Sequence, residues 1–273
     1  MPRLSIEPND AITYKVHYQD EHVVVVGKPA GLVTTPGLGH ERDSLLNALF
    51  ARWGHDLQNL GKSRDFGLLH RLDRDTSGLV VAALTARAYD ALREAFERRD
   101  VRKFYWAVTA HTPKRASGVV RLSIAEVQGK VPGDARPKKL ARVSPNGKPA
   151  LTAYRVLAAS PHAAMVECRP VTGRLHQVRV HLAAIRCPIL GDAFYATGAV
   201  ADAAPRLALH AHRLAFTHPM TGYPIDVRTR WPGDLRALLK RVGLSRPDLE
   251  PEGPSGRKGG EELDGGTIGD EDA

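Results

Sequence analysis

The densest group of chemically active side chains lies in the segment HRLDRDTSG at positions 70–78. Two carboxylates, Asp73 and Asp75, and two guanidinium groups, Arg71 and Arg74, fall within five positions between two apolar stretches. A neighbouring cation favours the ionised form of a carboxyl group. An anchored carboxylate attacks or stabilises a cationic sugar carbon in glycoside chemistry. A solvated, salt-bridged turn is the other interpretation, since structural ion pairs perturb carboxyl groups in the same way.

The surrounding pattern predicts the elements that position this loop. Residues 12–26 alternate and then run apolar, which is typical of a strand, a turn and a buried strand that ends at Gly27. Residues 79–84 predict a second buried strand, and Ser44 and Thr85 are candidate helix N-caps. Further strands are predicted at 101–109, 150–158, 163–169, 207–216 and 225–229, and further helices from 172 and at 232–242. The predicted strands outnumber the predicted helices, and this pattern predicts an α+β fold with a largely antiparallel sheet.

Successive side chains of the strand predicted at 101–109 point to opposite faces of the sheet. Phe104, Trp106 and Val108 share one face, and Lys103 and Tyr105 lie on the other. We therefore expect Phe104 and Trp106 in the core and Tyr105 on the side of a cleft.

Charge favours a polyanionic partner for the 273-residue chain. It carries 39 basic and 30 acidic residues, a net charge of +9, and such an excess favours nucleic acid first and an acidic membrane second. The tail at 246–273 has three basic and nine acidic residues, so residues 1–245 carry +15 and the tail −6. Composition predicts that this tail is disordered; it would be solubilising, or it would compete with RNA for a basic cleft.

Several classes of protein are disfavoured. Two cysteines, Cys168 and Cys187, exclude a disulfide scaffold and an all-cysteine zinc site. The sequence has neither a GxGxxG fingerprint nor a Walker loop, which argues against a nucleotide cofactor. No signal peptide or bilayer-length apolar run is present, so we expect a cytoplasmic protein without a membrane partner.

The segment at 70–78 closely resembles the HRLDxxTSG signature of RluA-type pseudouridine synthases. Other blocks resemble the same family and follow its order, over about residues 17–240. They are VVVVGKPAGLVTTPG at 23–37, KFYWAV at 103–108, GKPA at 147–150, VTGRLHQVRVHL at 171–182, PILGD at 188–192, LHAHRL at 209–214 and HP at 218–219.

This resemblance implies an enzyme that isomerises uridine to pseudouridine in ribosomal RNA of the large subunit, in tRNA, or in both. It also implies a pseudouridine-synthase-like fold, a mostly antiparallel mixed sheet with helices and loops around a central cleft. Residues 1–245 would be the catalytic domain, without the small RNA-binding (S4-like) domain that many relatives carry at the N-terminus. The reaction changes no oxidation state and is not a hydrolysis, so we expect no cofactor and no metal. We expect a monomer.

The family's site residues carry over by matching positions. Asp73 matches the catalytic carboxylate, which either attacks C1′ or removes a 2′ proton. Tyr105 matches a tyrosine that stacks on the flipped uracil or takes the C5 proton, with a core aromatic as the alternative. Arg179 matches the arginine that pairs with the catalytic aspartate. The candidates for substrate contact are Arg71, Thr76, Arg174, Lys28 and His210.

Two features concern RNA contact. Leu175 stands where the family usually has a small hydroxyl residue, which puts an RNA contact by that hydroxyl in doubt. The basic segment at 128–149 is a candidate RNA-gripping hairpin or loop, with a solvated linker as the alternative.

Two other functions remain as alternatives. The first alternative is a metallohydrolase. Its candidate metal ligands are His210 and His212 on one strand face, with His176 and His181 on a predicted helix. However, a spacing of five is wrong for two ligands on one helix face. A non-catalytic RNA-binding protein would explain the charge, but binding alone does not require a carboxylate facing a polyanion.

Overall fold

A computed structural model describes residues 4–129 and 138–247. The predicted tail from residue 248 onwards and the middle of the basic segment lie outside the described residues. The described residues form two compact units. The first comprises the described residues up to Phe104 together with Leu209–Thr229, and the second comprises the described residues between Tyr105 and Ala208 together with those from Arg230 onwards. In the described ranges, no helix is both long and apolar enough to cross a membrane.

The described elements follow the expected order, with strands in excess of helices. The strands are β1 (Lys15–Gln19), β2 (Val23–Lys28), β3 (Ser77–Ala83), β4 (Arg102–Thr109), β5 (Ser117–Arg121), β6 (Ile124–Gly129), β7 (Lys138–Val143), β8 (Leu151–Ala159), β9 (Ala164–Pro170), β10 (Leu209–Thr217) and β11 (Pro224–Arg228). The α-helices are α1 (Leu45–Leu60), α2 (Ala86–Glu97), α3 (Gln177–Ala184) and α4 (Arg236–Arg241).

The first unit contains the apolar strands that the sequence predicts. β2 pairs antiparallel with β1 and with β3, β3 pairs in parallel with β10, and β10 pairs antiparallel with β11. Every residue of β3 is buried, as its uninterrupted apolar run predicts. Both predicted caps are confirmed: Ser44 forms a capping box with Asn47 at the start of α1, and Thr85 accepts the Ala88 N–H at the start of α2.

The second unit is built on antiparallel pairs. β9 lies between β4 and β8, and β8 pairs with β5. β6 and β7 pair as a separate two-stranded antiparallel ribbon. The predicted hairpin or loop at 128–149 lies partly outside the described residues and stays a prediction. The α+β fold with a mixed, mostly antiparallel sheet is thus confirmed.

The start of α3 differs from the prediction. The sequence predicts a helix from Thr172, whereas α3 begins at Gln177. His176 precedes it with φ of 52°, in the left-handed region. A right-handed helix cannot continue through such a residue, so the segment before it stays non-helical.

A carboxylate joins two distant turns of the first unit. Asp20, between β1 and β2, accepts hydrogen bonds from the Tyr18 hydroxyl (2.6 Å) and from Nε2 of His218 (2.7 Å). Its other oxygen accepts the backbone N–H groups of His22 and Val23, both at 2.8 Å. Burial alone raises the pKa of Asp20, but these donors outweigh it and hold the pKa below its usual value.

His218→Ala should lower the free energy of unfolding by about 1–3 kcal/mol, because it removes a donor to a carboxylate that stays partly buried. Urea unfolding measures the change. His162→Ala is the matched control, since His162 is exposed and should shift stability little. Equal stabilities of the two variants would show that the Asp20–His218 contact does not hold the turns together.

Candidate active site

Thr34 fixes the backbone immediately before Asp73. Its hydroxyl donates to the carbonyl oxygen of Leu72 at 2.9 Å and accepts the Leu72 N–H at 3.1 Å. Both residues are buried. Since one side chain satisfies both peptide groups of Leu72, the entry to the Asp73 loop has a defined position.

Lys28 fixes the other side of the loop. Its ammonium group donates to the carbonyl oxygens of Pro29 (2.8 Å), Leu32 (2.6 Å) and Arg74 (3.0 Å), and the residue is 1% exposed. The Gly31 N–H also bonds to the Arg74 carbonyl at 2.9 Å. An ammonium group has three protons to donate, and these carbonyls accept them. These contacts give Lys28 a positioning role at the loop, and the substrate contact that the sequence predicts for it stays a prediction.

The loop leaves through a turn that requires glycine. The Thr76 N–H bonds to the Asp73 carbonyl at 3.1 Å, and Gly78 follows with φ of 125°. A Cβ atom at Gly78 would lie 2.3 Å from the carbonyl oxygen of Ala211 on β10. Only glycine allows this approach of the two strands.

His210 supports the same turn from β10. Its Nδ1 lies 2.9 Å from the Ser77 hydroxyl, and its Nε2 lies 2.7 Å from the Thr229 hydroxyl. The residue is 6% exposed and both ring nitrogens are engaged. These contacts hold His210 against the turn, and the substrate contact predicted for it stays a prediction. The Thr76 hydroxyl is buried and has no hydrogen-bond partner in the described part of the chain.

The charged side chains of the loop separate into different roles. Asp75 forms an ion pair with its neighbour Arg74, Nε to Oδ1 at 2.9 Å. Asp73 is half-buried between the anchored residues, whereas Arg71 is exposed. Of the two candidate carboxylates, Asp73 is the one that the anchors of the loop position directly.

In the second unit, Arg179 is held in a buried ion pair. Its Nε and Nη2 lie 2.9 and 2.7 Å from the two oxygens of Asp192, and the two side chains are 3% and 1% exposed. Asp192 also accepts the backbone N–H groups of Phe194 and Tyr195. The guanidinium lies 4.8 Å from the Phe194 ring and 5.1 Å from the Tyr195 ring. No local sequence pattern marks Asp192 as this partner, although the PILGD block contains it.

A hydrogen-bond chain anchors the start of α3. Gln177 donates to the Thr152 hydroxyl (2.9 Å), which lies 2.9 Å from Nδ1 of His181, and Nε2 of His181 lies 3.0 Å from the Leu122 carbonyl. Burial lowers the pKa of His181, so the neutral ring accepts at Nδ1 and donates at Nε2. Gln177 also accepts the N–H of Arg174, whose side chain is exposed. The backbone of Arg174 is thus fixed, while its side chain is exposed.

These contacts bear on the metallohydrolase alternative. His176 lies at the N-cap of α3, before the helix, and its Nδ1 contacts the Tyr195 hydroxyl at 2.7 Å. Among residues 4–129 and 138–247, no three His, Cys, Asp or Glu side chains are grouped to hold a metal ion. The rings of His176, His181 and His210 instead contact hydroxyl or carbonyl groups.

Tyr105 lies on β4 opposite Cys168 of β9. It is 9% exposed, and the adjacent Trp106 is more deeply buried and packs against Trp231 with ring centroids 6.4 Å apart. Trp106 is in the core as predicted, but the prediction is wrong for Phe104, which is only half-buried with the Arg213 guanidinium 4.9 Å from its ring. Tyr105 is more buried than Phe104, so burial does not separate the faces of β4 as the alternation predicts. Asp73 belongs to the first unit, and Tyr105, Arg174 and Arg179 belong to the second.

Comparisons with known proteins identify the family. The RNA pseudouridylate synthase family profile matches residues 22–184. The chain is 36% identical over 247 residues to ribosomal large subunit pseudouridine synthase D of Zymomonas mobilis, covering 88% of this chain and 75% of that protein. It is 40% identical over 210 residues to the dual-specificity RNA pseudouridine synthase RluA of Salmonella typhi, covering 75% and 87%.

A solved structure agrees with these sequence matches. The human RNA pseudouridylate synthase domain containing 4 is 30% identical, with a TM-score of 0.64, and the match covers 85% of this chain and 94% of that one. The chain therefore belongs to the RNA pseudouridylate synthase family, as an RluA-type RNA pseudouridine synthase.

Proposed function

We propose that the enzyme converts specific uridines of large-subunit ribosomal RNA, of tRNA, or of both, with Asp73 as the catalytic carboxylate. The observation that carries this assignment is the two-sided anchoring of the family's signature loop by Thr34 and Lys28. One named relative is a ribosomal large subunit enzyme, and another is a dual-specificity RNA pseudouridine synthase. We propose the cytoplasm, where both RNAs occur, as the compartment, and a monomer as the active form.

The reaction sets the requirements on Asp73. The C–N glycosidic bond breaks, the base turns, and C5 joins C1′, so atoms and electrons balance without a cofactor. Asp73 either attacks C1′ or removes the 2′ proton, and both roles require an ionised carboxylate against the ribose. A loop that is already fixed presents that carboxylate without reorganisation, which lowers the activation barrier. A flipped uridine would bring the ribose to it.

Arg179 is the cation that we assign to Asp73. In the family, the matching arginine pairs with the catalytic aspartate. Asp192 binds Nε and Nη2 of Arg179, and a guanidinium group has five N–H donors. The geometry at Asp192 therefore leaves further donors for a second carboxylate. Tyr105 would stack on the flipped uracil or accept the C5 proton.

Exposed basic residues would bind the RNA backbone. Arg71 adjoins Asp73 and would occupy the stacking position that the flipped uridine vacates. Arg174 and the ribbon of β6 and β7 supply further charge, with Lys139 and Arg142 exposed on β7. Release of counterions from phosphates then makes RNA affinity fall steeply with salt.

Asp73→Asn should lower pseudouridine formation by about 10³-fold or more while RNA affinity stays close to that of the wild type, because the change removes the reacting group and keeps the loop. Pseudouridine mapping and equilibrium RNA binding measure the two effects. Asp75→Asn is the matched control and should remain active. An active Asp73→Asn enzyme would remove Asp73 from this role.

Deletion of the gene should remove a defined set of pseudouridines from total RNA when the strain is compared with its parent. Mapping of the missing sites distinguishes ribosomal RNA from tRNA as the substrate. Loss of no site in either class would contradict the proposed substrates.

Asp192→Asn should lower the free energy of unfolding by about 3–5 kcal/mol, because it neutralises one partner of a buried ion pair. It should also lower kcat, since Arg179 loses the partner that orients it. Thermal unfolding and single-turnover kinetics measure these effects. The control is Asp202→Asn, an exposed carboxylate. If both variants are equally stable, Asp192 does not hold Arg179 as we infer.

A further inference from the structure

Lys103 carries a positive charge that its surroundings do not compensate. The residue lies on β4 and is partly buried. Its ammonium group lies 5.5 Å from the centre of the Phe96 ring on α2. No carboxylate forms an ion pair with it in the part of the chain that the structure describes. Burial lowers the pKa of this ammonium group, as expected where water is excluded and no anion replaces it.

His70 supplies an unsatisfied donor beside this charge. Its Nε2 accepts the Val81 N–H at 3.1 Å, and burial, followed by the charge of Lys103, lowers the pKa of His70 to about 3. The ring is therefore neutral, and its proton resides on Nδ1. Nδ1 is buried and has no hydrogen-bond partner among the described residues. The ring lies 5.4 Å from that of Phe96, centre to centre.

Two donors thus converge on Phe96, one of them charged, and neither has an acceptor within the described ranges. A partly buried cation without a counter-charge and a buried N–H without an acceptor both cost free energy in the free enzyme. An anion that contacts both groups would remove both costs. The RNA backbone supplies such an anion, because each phosphodiester carries one negative charge and accepts hydrogen bonds.

Lys103 and His70 belong to the two sequence segments that contain Tyr105 and Asp73. Side chains alternate along a strand, so Lys103 shares the face of β4 on which Tyr105 lies. His70 opens the loop that reaches Asp73 three residues later. A group bound by Lys103 and His70 would therefore be close in the chain to both proposed catalytic residues.

We propose that Lys103, assisted by the Nδ1–H of His70, binds a backbone phosphodiester adjacent to the flipped uridine. This subsite rests on the proposed function, which brings the uridine to Asp73. It differs from a surface phosphate contact because its charge is partly buried before RNA arrives.

The test compares Lys103→Met and Lys103→Arg with the wild type and with Lys62→Met, which removes an exposed charge. RNA binding is measured over a series of salt concentrations with a stem-loop that the wild type modifies. Lys103→Met should bind about tenfold more weakly, with a salt slope smaller by about 0.7–0.9. Lys103→Arg should recover most of the affinity, and Lys62→Met should change it little. Unchanged affinity in Lys103→Met would overturn the proposal, including the case in which only kcat falls.

A second measurement locates the phosphate. Each phosphodiester flanking the target uridine is replaced in turn by an uncharged methylphosphonate. One of the two replacements should weaken binding about tenfold in the wild type but little in Lys103→Met, since both changes remove the same contact. Equal losses in the two proteins at both linkages would overturn the subsite.

Thermal unfolding separates binding from a packing role. Lys103→Met should unfold no earlier than the wild type, because it removes a charge that lacks a partner. Earlier unfolding together with unchanged RNA affinity would show that Lys103 only packs on Phe96. The proposed function is judged separately, by whether the wild type forms pseudouridine and Asp73→Asn does not.

Discussion

The buried ammonium group of Lys28 is the interaction on which the Asp73 loop depends. A charge at 1% exposure is tolerated only when every proton finds an acceptor. The carbonyls of Pro29, Leu32 and Arg74 are those acceptors. Displacement of either loop would leave part of the charge unsatisfied, so the two loops are held in one arrangement. The position of Asp73 is therefore set by a group that need not touch the substrate.

The same principle distinguishes the buried cations of this protein. Arg179 meets both oxygens of Asp192, so its charge is compensated within the second unit. The charge of Lys28 is satisfied by carbonyl dipoles within the first unit. Lys103 has neither kind of contact among the described residues. A cation whose charge is satisfied by the fold positions other groups, whereas a cation without such partners is available for a ligand.

Sequence reasoning predicted the local features well and the long-range contacts poorly. The caps at Ser44 and Thr85 and the buried strands follow from a few adjacent residues, so they are visible in the sequence. The hydrogen bonds of Lys28 reach a carbonyl 46 positions away, and those of His210 reach Ser77 across 133 positions. No local pattern encodes such partners, so these contacts become visible only in the fold. The left-handed His176 was missed for the same reason, since its conformation depends on the fold around it.

The second unit also connects the basic ribbon to the proposed catalytic arginine. The Tyr195 hydroxyl accepts the N–H of Ala141 on β7 at 2.9 Å, while its ring lies against Arg179. Leu175, where the family usually has a hydroxyl residue, packs on the apolar cluster at the base of this ribbon. A hydroxyl there would add polarity to that cluster, whereas leucine adds apolar packing. The departure at Leu175 therefore has a structural reason: it strengthens the base of the ribbon, and the ribbon and Arg179 are held by the same tyrosine.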